Sequence, residues 1–309
     1  MKKTHTLGVI VLDALSGPLG EYPVRGGRTQ SVTKNVRFLP GGGAANTAGA
    51  LAKMGLAAGV FSKLGDDFAG RFLIEQIARS GVDTAGIRLS KSDTTPFTFV
   101  GIHEDGDRTF IHTPGANLTF APEDLDLDRL FAADFLLYHD LWCKPLLDGT
   151  PGAAILAEAR RRGVVTLLDE CFGLGPSREQ LAPMLPHCDY FVPSLDDMRV
   201  IYPRASPHQL ADTLLACGAA AVVLKMGGEG CLVARGKERM HVPAFTTRIV
   251  DATGAGDSWD AGFLAGLAHG EDVLTSARIG NAAASFCIQA VGGASGIPEY
   301  AAVREKAAG

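Results

Sequence analysis

The sequence has no cysteine pair at the C-x-x-C spacing, and no cysteine has a histidine at the spacing of a metal site. It has no basic excess either, because the formal net charge is −5, which argues against a nucleic-acid partner. No apolar run approaches the roughly 20 residues that span a bilayer, and the N-terminal segment leads into a short strand rather than a signal-peptide core. These absences predict a cytoplasmic protein with no membrane partner. The cysteines are expected to be reduced residues of the core: Cys143, Cys171, Cys188, Cys217, Cys231 and Cys287.

Two common nucleotide-binding motifs are also missing. No G-x-G-x-x-G turn follows the first predicted strand, and the glycines at 41–43 lie well beyond it. Gly236-Lys237 is followed by Glu238, whereas a Walker loop requires Ser or Thr at that position to bind magnesium. Both a dinucleotide-binding protein and a P-loop enzyme are therefore disfavoured.

The order of apolar segments predicts an α/β fold. The 309 residues, 46% hydrophobic and 20% charged, suffice for one large domain with a sizeable core. Short apolar strands are predicted at 135–138, 164–168, 190–192 and 220–224, with helices at 151–162 and 207–217 between some of them. Earlier helices are predicted at 44–54 and 67–80, the second capped by Asp66 or Asp67. This alternation is typical of βα units around a parallel sheet, and no repeat or linker divides the chain.

Two partly polar regions predict a second, smaller sheet. Residues 30–38 alternate between polar and apolar side chains, and so do residues 97–102 and 108–112, with a hairpin tip at 104–107. Such a sheet could project from the main body and cover a ligand. Residues 6–12 are expected to form one buried strand that delivers Asp13 to a loop at its carboxyl end, where ligand contacts are common.

The strongest chemical motif is the segment 251–258, which precedes a helical pattern at 259–269. The small residues Gly254, Ala255 and Gly256 let backbone N–H groups approach an anion, and the helix dipole favours negative charge at the same place. Asp257 lies in the first helical turn, where its carboxylate could accept the proton of an attacking hydroxyl. Ordinary helix capping explains an acidic residue there equally well, so spacing alone leaves both interpretations open.

A second motif is the glycine turn at 41–43, which feeds a helix carrying Asn46. Glycine here would let backbone approach a ligand closely. A tight turn that allows a helix to pack on the sheet is the alternative. The polar Asn46 among small residues favours hydrogen bonding to a substrate.

These residues together resemble the PfkB family of carbohydrate kinases, the ribokinase-like superfamily, from about Gly8 to Pro298. The signature Gly-Gly-x-x-x-Asn is present at 41–46 and Asp-x-x-Gly-Ala-Gly-Asp at 251–257. The resemblance implies a three-layer αβα fold with a central, mainly parallel sheet and a small β lid. It also implies that residues 1–309 form a single kinase domain, with the lid contributed by about 15–40 and 95–114.

The resemblance also implies roles for individual residues. Asp257 becomes the catalytic base, and Gly254, Ala255 and Gly256 form the anion hole. Substrate hydroxyls are expected at Asp13, Gly42, Gly43, Asn46 and Asn117. ATP is expected beside Lys225, Gly227 and Gly230, with Asn281 facing the adenine.

The metal ligands depart from the family pattern. The usual Asn-x-x-Glu that organises magnesium is replaced by Ser194-Leu195-Asp196-Asp197, so Mg²⁺ is expected through Asp197. Asp169-Glu170, which ends an apolar strand, could help or could simply form a turn. Asp251 and Thr253 resemble the loop that binds K⁺ in potassium-activated members, which makes K⁺ a further candidate.

The resemblance implies an ATP-dependent phosphotransferase that acts on a hydroxyl of a sugar or sugar-like molecule. Gly43 stands where ribokinases often carry Lys, which favours a neutral acceptor. A nucleoside kinase is the nearer alternative, because Phe97, Phe99 and Phe110 could stack on a base. A non-catalytic sugar or nucleotide sensor is the other, motivated by the altered segment 194–197, although Asp257 argues against it. Exposed strand edges of the lid predict a homodimer.

Overall fold

Short apolar segments form the strands of the computed structural model, which describes residues 2–19, 36–104, 108–173 and 175–309. The predicted strands at 135–138, 164–168, 190–192 and 220–224 are all present, with bounds that differ by up to three residues. The described strands are β1 (Lys3–Leu7), β2 (Val11–Leu19), β3 (Arg37–Gly41), β4 (Ala57–Gly65), β5 (Asp83–Ser90), β6 (Phe97–His103), β7 (Arg108–Thr113), β8 (Phe135–Leu141), β9 (Val165–Glu170), β10 (Tyr190–Phe191), β11 (Val222–Lys225), β12 (Cys231–Arg235) and β13 (Glu238–Val242).

The helices also lie where periodicity predicts them. Asp67 caps α2, because its side chain accepts a hydrogen bond from the Gly70 N–H. The described helices are α1 (Gly43–Lys53), α2 (Phe68–Arg79), α3 (Leu127–Leu130), α4 (Thr150–Arg161), α5 (Arg178–Leu181), α6 (Leu195–Ile201), α7 (Pro207–Ala216), α8 (Ala255–Ala268), α9 (Val273–Cys287) and α10 (Tyr300–Ala308). None of them combines the length and apolar character that a membrane crossing requires.

A large, mainly parallel sheet forms the middle layer, in the order β13-β12-β11-β10-β9-β8-β1-β4-β5. Only β12 and β13 run antiparallel to their neighbours. One hydrophobic core packs α1, α2, α8, α9 and α10 on one face, and a second packs α3 to α7 on the other. The predicted three-layer αβα fold is therefore confirmed.

A four-stranded sheet in the order β3-β2-β6-β7 forms the lid. The pairs β2/β3 and β6/β7 are antiparallel, as the predicted hairpin requires, whereas β2 and β6 are parallel. Residues 20–35 and 105–107, which include most of the predicted strand at 30–38 and the hairpin tip, lie outside the described residues.

The expectation of one strand at 6–12 is wrong. The chain leaves the main sheet at Leu7, passes through Gly8 to Ile10, and enters the lid as β2. Asp13 therefore lies inside a lid strand, opposite Thr98, rather than in a loop after a core strand. The sequence conceals the break because both strands and the link between them are apolar.

Small residues bring α8 close to α9. A side chain on Gly262 would come within 2.7 Å of the Ala283 Cβ, and one on Gly280 would come equally close to the Trp259 ring. This packing buries most of α8 and fixes its first turn at the carboxyl edge of the main sheet. The helix that begins with the predicted anion hole is thus rigidly held.

The cysteine prediction is only partly correct. All six are free of disulfides, but only Cys188, Cys231 and Cys287 belong to the core. Cys171 and Cys217 are exposed and Cys143 is half-buried. Isolated cysteines give no periodic signal, so their burial depends on the path of loops that the pattern does not define.

Candidate active site

A cavity of about 720 Å³ opens between the lid and the carboxyl edge of the main sheet. The predicted substrate residues, which are far apart in the chain, meet in its wall: Asp13, Gly42, Gly43, Asn46 and Asn117. Asp257, Gly254 and Gly256 line the same cavity. The fold therefore brings the predicted residues together in one concave site of the size of a small-molecule pocket.

Asp257 faces this cavity from the first turn of α8, and its side chain is 19% exposed. The Asn46 Nδ2 donates a hydrogen bond of 2.7 Å to the Asp257 Oδ2, and the Thr47 hydroxyl donates to the Asp257 backbone oxygen. Burial raises the pKa of Asp257 above its ordinary value, while the nearby His139 opposes that rise. A carboxylate that is partly desolvated and held in one rotamer is well suited to accept a proton.

The anion-hole segment begins α8. Gly254 precedes the helix with φ 74°, and a side chain there would overlap the Gly293 backbone oxygen, so both conformation and space require glycine. Among the described residues outside this turn of α8, only the Lys225 ammonium lies within 4 Å of the position of a Cβ on Gly256. The first backbone N–H groups of a buried helix, beside a lysine, form a site for an anion.

His139 and Asp140 are the main site residues that sequence reasoning missed. They follow the predicted strand 135–138 directly, at the end of β8, and both line the cavity while being almost fully buried. The Asp140 carboxylate accepts hydrogen bonds from the N–H groups of Val9, Gly43 and Ala44. Two ionisable residues at the carboxyl end of a parallel strand were the available signal.

Their charges stabilise each other. Burial opposes the ionisation of Asp140, but His139 and the Val9 N–H lower the pKa of its carboxyl to about 2. Burial likewise works against a charged His139, yet the neighbouring carboxylates, Asp140 first, raise its pKa well above the ordinary value. Asp140 is therefore an ionised anchor for the start of α1.

A buried lysine fixes the backbone of this segment. Lys144 is fully buried, and its ammonium donates hydrogen bonds of 2.6 Å to the backbone oxygens of His139 and Asp140. Asp140 and Trp142 both have positive φ, an unusual conformation for residues other than glycine. Lys144 thus satisfies carbonyl groups in a strained turn that orients the two buried side chains.

Lys225 ends β11 between two carboxylates. Its ammonium lies 3.0 Å from Asp169 Oδ1 and 3.1 Å from Asp260 Oδ1. Burial would lower the pKa of Lys225, but these two carboxylates raise it above its ordinary value. Lys225 also holds the pKa of Asp260 below its usual range against the effect of burial, whereas burial and Asp260 raise that of Asp169. Asp260, one turn after Asp257 on α8, was not anticipated.

A second cavity of about 460 Å³ adjoins the first. Lys225, Gly227 and Gly256 line both cavities, so two ligands could meet beside the anion hole. The predicted nucleotide residues Gly230 and Asn281 line only the second. The Asn281 amide already donates to the Val242 and Pro243 oxygens and accepts from Trp259, so it shapes this cavity through protein contacts.

The altered segment 194–197 lies in the wall of the first cavity beside β9. The Ser194 N–H donates to Glu170 Oε1, while Glu170 Oε2 is buried without a hydrogen-bond partner among the described residues. Burial and the neighbouring Asp197 raise the pKa of Glu170 to about 8, and burial also raises that of Asp197. Two carboxyls that share a buried space fit a divalent cation.

The predicted cation loop is also organised. Asp251 is buried and accepts hydrogen bonds from the N–H groups of Thr253 and Gly292. It therefore ties the segment before α8 to the loop at 290–295, which also carries the Gly293 oxygen that limits Gly254.

The family model for pfkB family carbohydrate kinases matches residues 9–300. The chain belongs to this family. An uncharacterised sugar kinase of Archaeoglobus fulgidus is 30% identical over 254 residues, which cover 80% of this chain and 98% of that protein. A nucleoside kinase of Methanothermobacter thermautotrophicus is 29% identical over 284 residues, which cover 91% and 88%. The chain is therefore an ATP-dependent kinase of the sugar and nucleoside kinase group.

Solved structures agree. A chain assigned as a ribokinase II of E. coli, in complex with ATP and Mg²⁺, superposes with a TM-score of 0.81 at 21% identity, covering 99% of each chain. At this identity the similarity shows the shared fold. The ribokinase-like fold expected for the kinase is thus confirmed.

Close contact with His139 makes Gly43 sensitive to substitution. A Cβ on Gly43 would overlap His139 Cε1 and Asp140 Oδ1, both of which are fixed. We expect Gly43→Ala to lower the free energy of unfolding by about 1–3 kcal/mol and to reduce kinase activity. Gly49 is the control in the same helix, because no described residue outside its own turn lies within 4 Å of its Cβ position. Gly49→Ala should leave the free energy of unfolding unchanged or raise it by up to about 1 kcal/mol. If urea unfolding shows the same loss of stability in both variants, the steric argument is wrong.

Proposed function

We propose that the kinase transfers the γ-phosphoryl group of ATP to a hydroxyl of a neutral sugar or sugar-like molecule, with Asp257 as the base. The observation that carries this proposal is the position of Asp257 at the start of α8. Its side chain lines the first cavity, next to the residues that line both cavities. The acceptor would occupy the first cavity and the nucleotide the second.

The reaction needs one proton acceptor and one anion site. The acceptor oxygen attacks the γ-phosphorus, a new O–P bond forms, and the bond between phosphorus and the bridging oxygen of ADP breaks. The hydroxyl proton passes to Asp257, and the N–H groups around Gly254, Ala255 and Gly256 stabilise charge on the transferring group. Asn46 holds Asp257 in place through its hydrogen bond.

Glu170 and Asp197 would hold the Mg²⁺ that accompanies ATP. The unpartnered Glu170 oxygen and the adjoining Asp197 are the donor set that supports this assignment. When bound, Mg²⁺ neutralises phosphate charge. Asp251 and Thr253 belong to the loop that would bind K⁺. Asn281, Gly227 and Gly230 would surround the nucleotide.

The acceptor end of the cavity favours hydroxyl groups. Asn117 Oδ1 is buried without a hydrogen-bond partner among the described residues, and Asp13 is a second acceptor. Phe110 and Phe172 also line this cavity, and these aromatic rings support a nucleoside as the second candidate.

ADP release coupled to a dehydrogenase, measured with Mg²⁺ and K⁺ across neutral sugars, keto-acid sugars and nucleosides, tests the function. We expect release that depends on one acceptor class. ATP binding without turnover on any acceptor would instead favour the sensor. Thermal shift with adenosine against hexoses would separate the two candidate acceptors.

Acceptor binding should depend on pH through Asp13. Burial and the Asp257 charge raise the pKa of Asp13 to about 6, although a hydrogen bond with Thr98 opposes this. The carboxylate that accepts a substrate hydroxyl therefore forms only above that pH. We expect the KM for the acceptor to be about tenfold higher at pH 5 than at pH 8. The Asp13→Asn variant should bind the acceptor weakly, with a KM that does not change with pH. If its KM changes with pH as in the unaltered chain, Asp13 is not the source of the pH dependence.

We also propose that the kinase is a homodimer formed through the lid. Strands β3 and β7 are the outer strands of the lid sheet, and Phe38 and Ile111 on them are exposed. Light scattering at micromolar concentration should give the mass of two chains. A monomer mass would refute the proposed dimer. It would not test the separate prediction that residues 1–309 form a single kinase domain.

A further inference from the structure

Three carboxylate oxygens surround one buried imidazole nitrogen at the carboxyl edge of the main sheet. The His139 Nε2 lies 3.4 Å from Asp260 Oδ2, 3.5 Å from Asp257 Oδ1 and 3.6 Å from Asp169 Oδ2. The donor atoms of His139, Asp169 and Asp260 all lie within 4.8 Å of one another. Three potential ligands from β8, β9 and α8 thus lie close enough to share one ion, and Asp257 Oδ1 lies beside the imidazole.

Two of these atoms make no hydrogen bond. His139 Nε2 and Asp260 Oδ2 make no hydrogen bond with any other described residue, although the side chains are only 2% and 0% exposed. A buried polar atom without a partner is rare and costly. Both atoms point towards the same space, which indicates that something outside the chain completes their coordination.

We propose that His139, Asp169 and Asp260 bind a divalent transition-metal ion. Tetrahedral zinc with bonds of about 2.0–2.1 Å sets neighbouring ligand atoms about 3.4 Å apart. The separations of His139 Nε2 from Asp260 Oδ2 and Asp169 Oδ2 match this spacing. Imidazole with carboxylates is a donor set that suits Zn²⁺, whereas Mg²⁺ prefers oxygen ligands alone.

Lys225 completes the arrangement from outside. Its ammonium contacts the Oδ1 atoms of Asp169 and Asp260, which leaves both Oδ2 atoms free to face the metal. Such outer contacts orient carboxylate ligands. The ion takes the place of the proton that His139 Nε2 otherwise carries among these carboxylates, because imidazole binds a metal only in its neutral form.

This site differs from that of the Mg²⁺ that accompanies ATP, which is proposed at Glu170 and Asp197. Metal binding itself is independent of the proposed function. One consequence rests on that function: His139 Nε2 lies 3.5 Å from Asp257 Oδ1, so a divalent ion on that nitrogen lowers the proton affinity of the base and Zn²⁺ inhibits the kinase. The site is thus an inhibitory metal site.

Isothermal titration of the full chain with ZnCl₂, in buffer without ATP, tests the site. We expect one ion per chain, and dissociation constants raised at least tenfold in His139→Asn and Asp260→Asn. His112→Asn is the matched control, because His112 lines the same cavity but bonds Thr98. Loss in the first two variants alone supports the site. No binding by the unaltered chain, unchanged affinity in both variants, or equal loss in the control overturns it.

X-ray absorption of the zinc-loaded unaltered chain gives an answer even if a variant fails to fold. We expect nitrogen and oxygen neighbours at about 2.0 Å. Sulfur at about 2.3 Å would place zinc on Cys143 and Cys171, which line the same cavity, and would overturn the proposal. Zinc binding without any acceptor-dependent turnover in Mg²⁺ alone would refute the proposed function and leave the metal site standing.

Discussion

Asp257→Asn should lower kcat by about 10²- to 10⁴-fold, which is the range that a general base contributes. The amide has the same shape as the carboxylate and can still accept the hydrogen bond from Asn46, so the site should keep its geometry. It cannot take the hydroxyl proton. We expect the affinity for ATP to stay within about threefold of the unaltered chain. Coupled ADP release at saturating substrates measures kcat, and fluorescence titration measures ATP binding.

The same variant tests the capping interpretation of Asp257. If this residue only stabilised the start of α8, the substitution would leave kcat unchanged. Asp272 is a suitable control, because its side chain caps α9 by accepting from the Thr275 N–H. Asp272→Asn should keep full kcat, since asparagine is an equally good cap. A kcat of Asp257→Asn within threefold of the unaltered kinase would exclude the proposed base.

Lys225→Met should lower the free energy of unfolding by about 3–5 kcal/mol and greatly weaken ATP turnover. The ammonium neutralises the buried Asp169 and Asp260, and removing one member of such a cluster leaves uncompensated charge. Lys225 also borders both cavities beside the anion hole, so we expect kcat/KM for ATP to fall at least 100-fold. Urea unfolding and steady-state kinetics measure the two effects.

Lys63 provides a matched control for this prediction. It is similarly buried and pairs with Asp93 and Asp124, and none of these three residues lines either cavity. Lys63→Met should cost stability but leave kcat/KM for ATP unchanged. Combining Lys225→Met with Asp260→Asn should recover part of the stability and none of the activity. Recovery of activity in the double variant would show that Lys225 has only a structural role.

The residues of the two signature segments could be predicted from the sequence, because their chemistry is tied to local backbone. Small residues at 41–43 and 254–256 mark a turn before a helix, and Asn46 and Asp257 follow at fixed positions in the first turns. The structure brings the two segments together across 211 residues, with the Asn46 amide on the Asp257 carboxylate. The hairpin and the parallel sheet were predictable for the same reason, since each has a local period.

The charged cluster could not be predicted in this way. His139, Asp169, Lys225 and Asp260 come from three strands and a helix that are far apart in the chain. Their contacts depend on strand order, which places β9 beside β8 and leaves β10 between β9 and β11. Local periodicity contains no information on that order. Asp260 gave a local signal of its own, because its spacing of three from Asp257 sets both carboxylates on one side of α8.

The short link from β1 to β2 has a mechanical consequence. The Val9 N–H within this link donates to the same Asp140 carboxylate that accepts from Gly43 and Ala44 at the start of α1. We expect a tilt of the lid strand to displace the first turn of α1, which carries the Asn46 partner of Asp257. Four hydrogen bonds connect the lid strand to the proposed base, so we expect movement of the lid to change the orientation of that carboxylate.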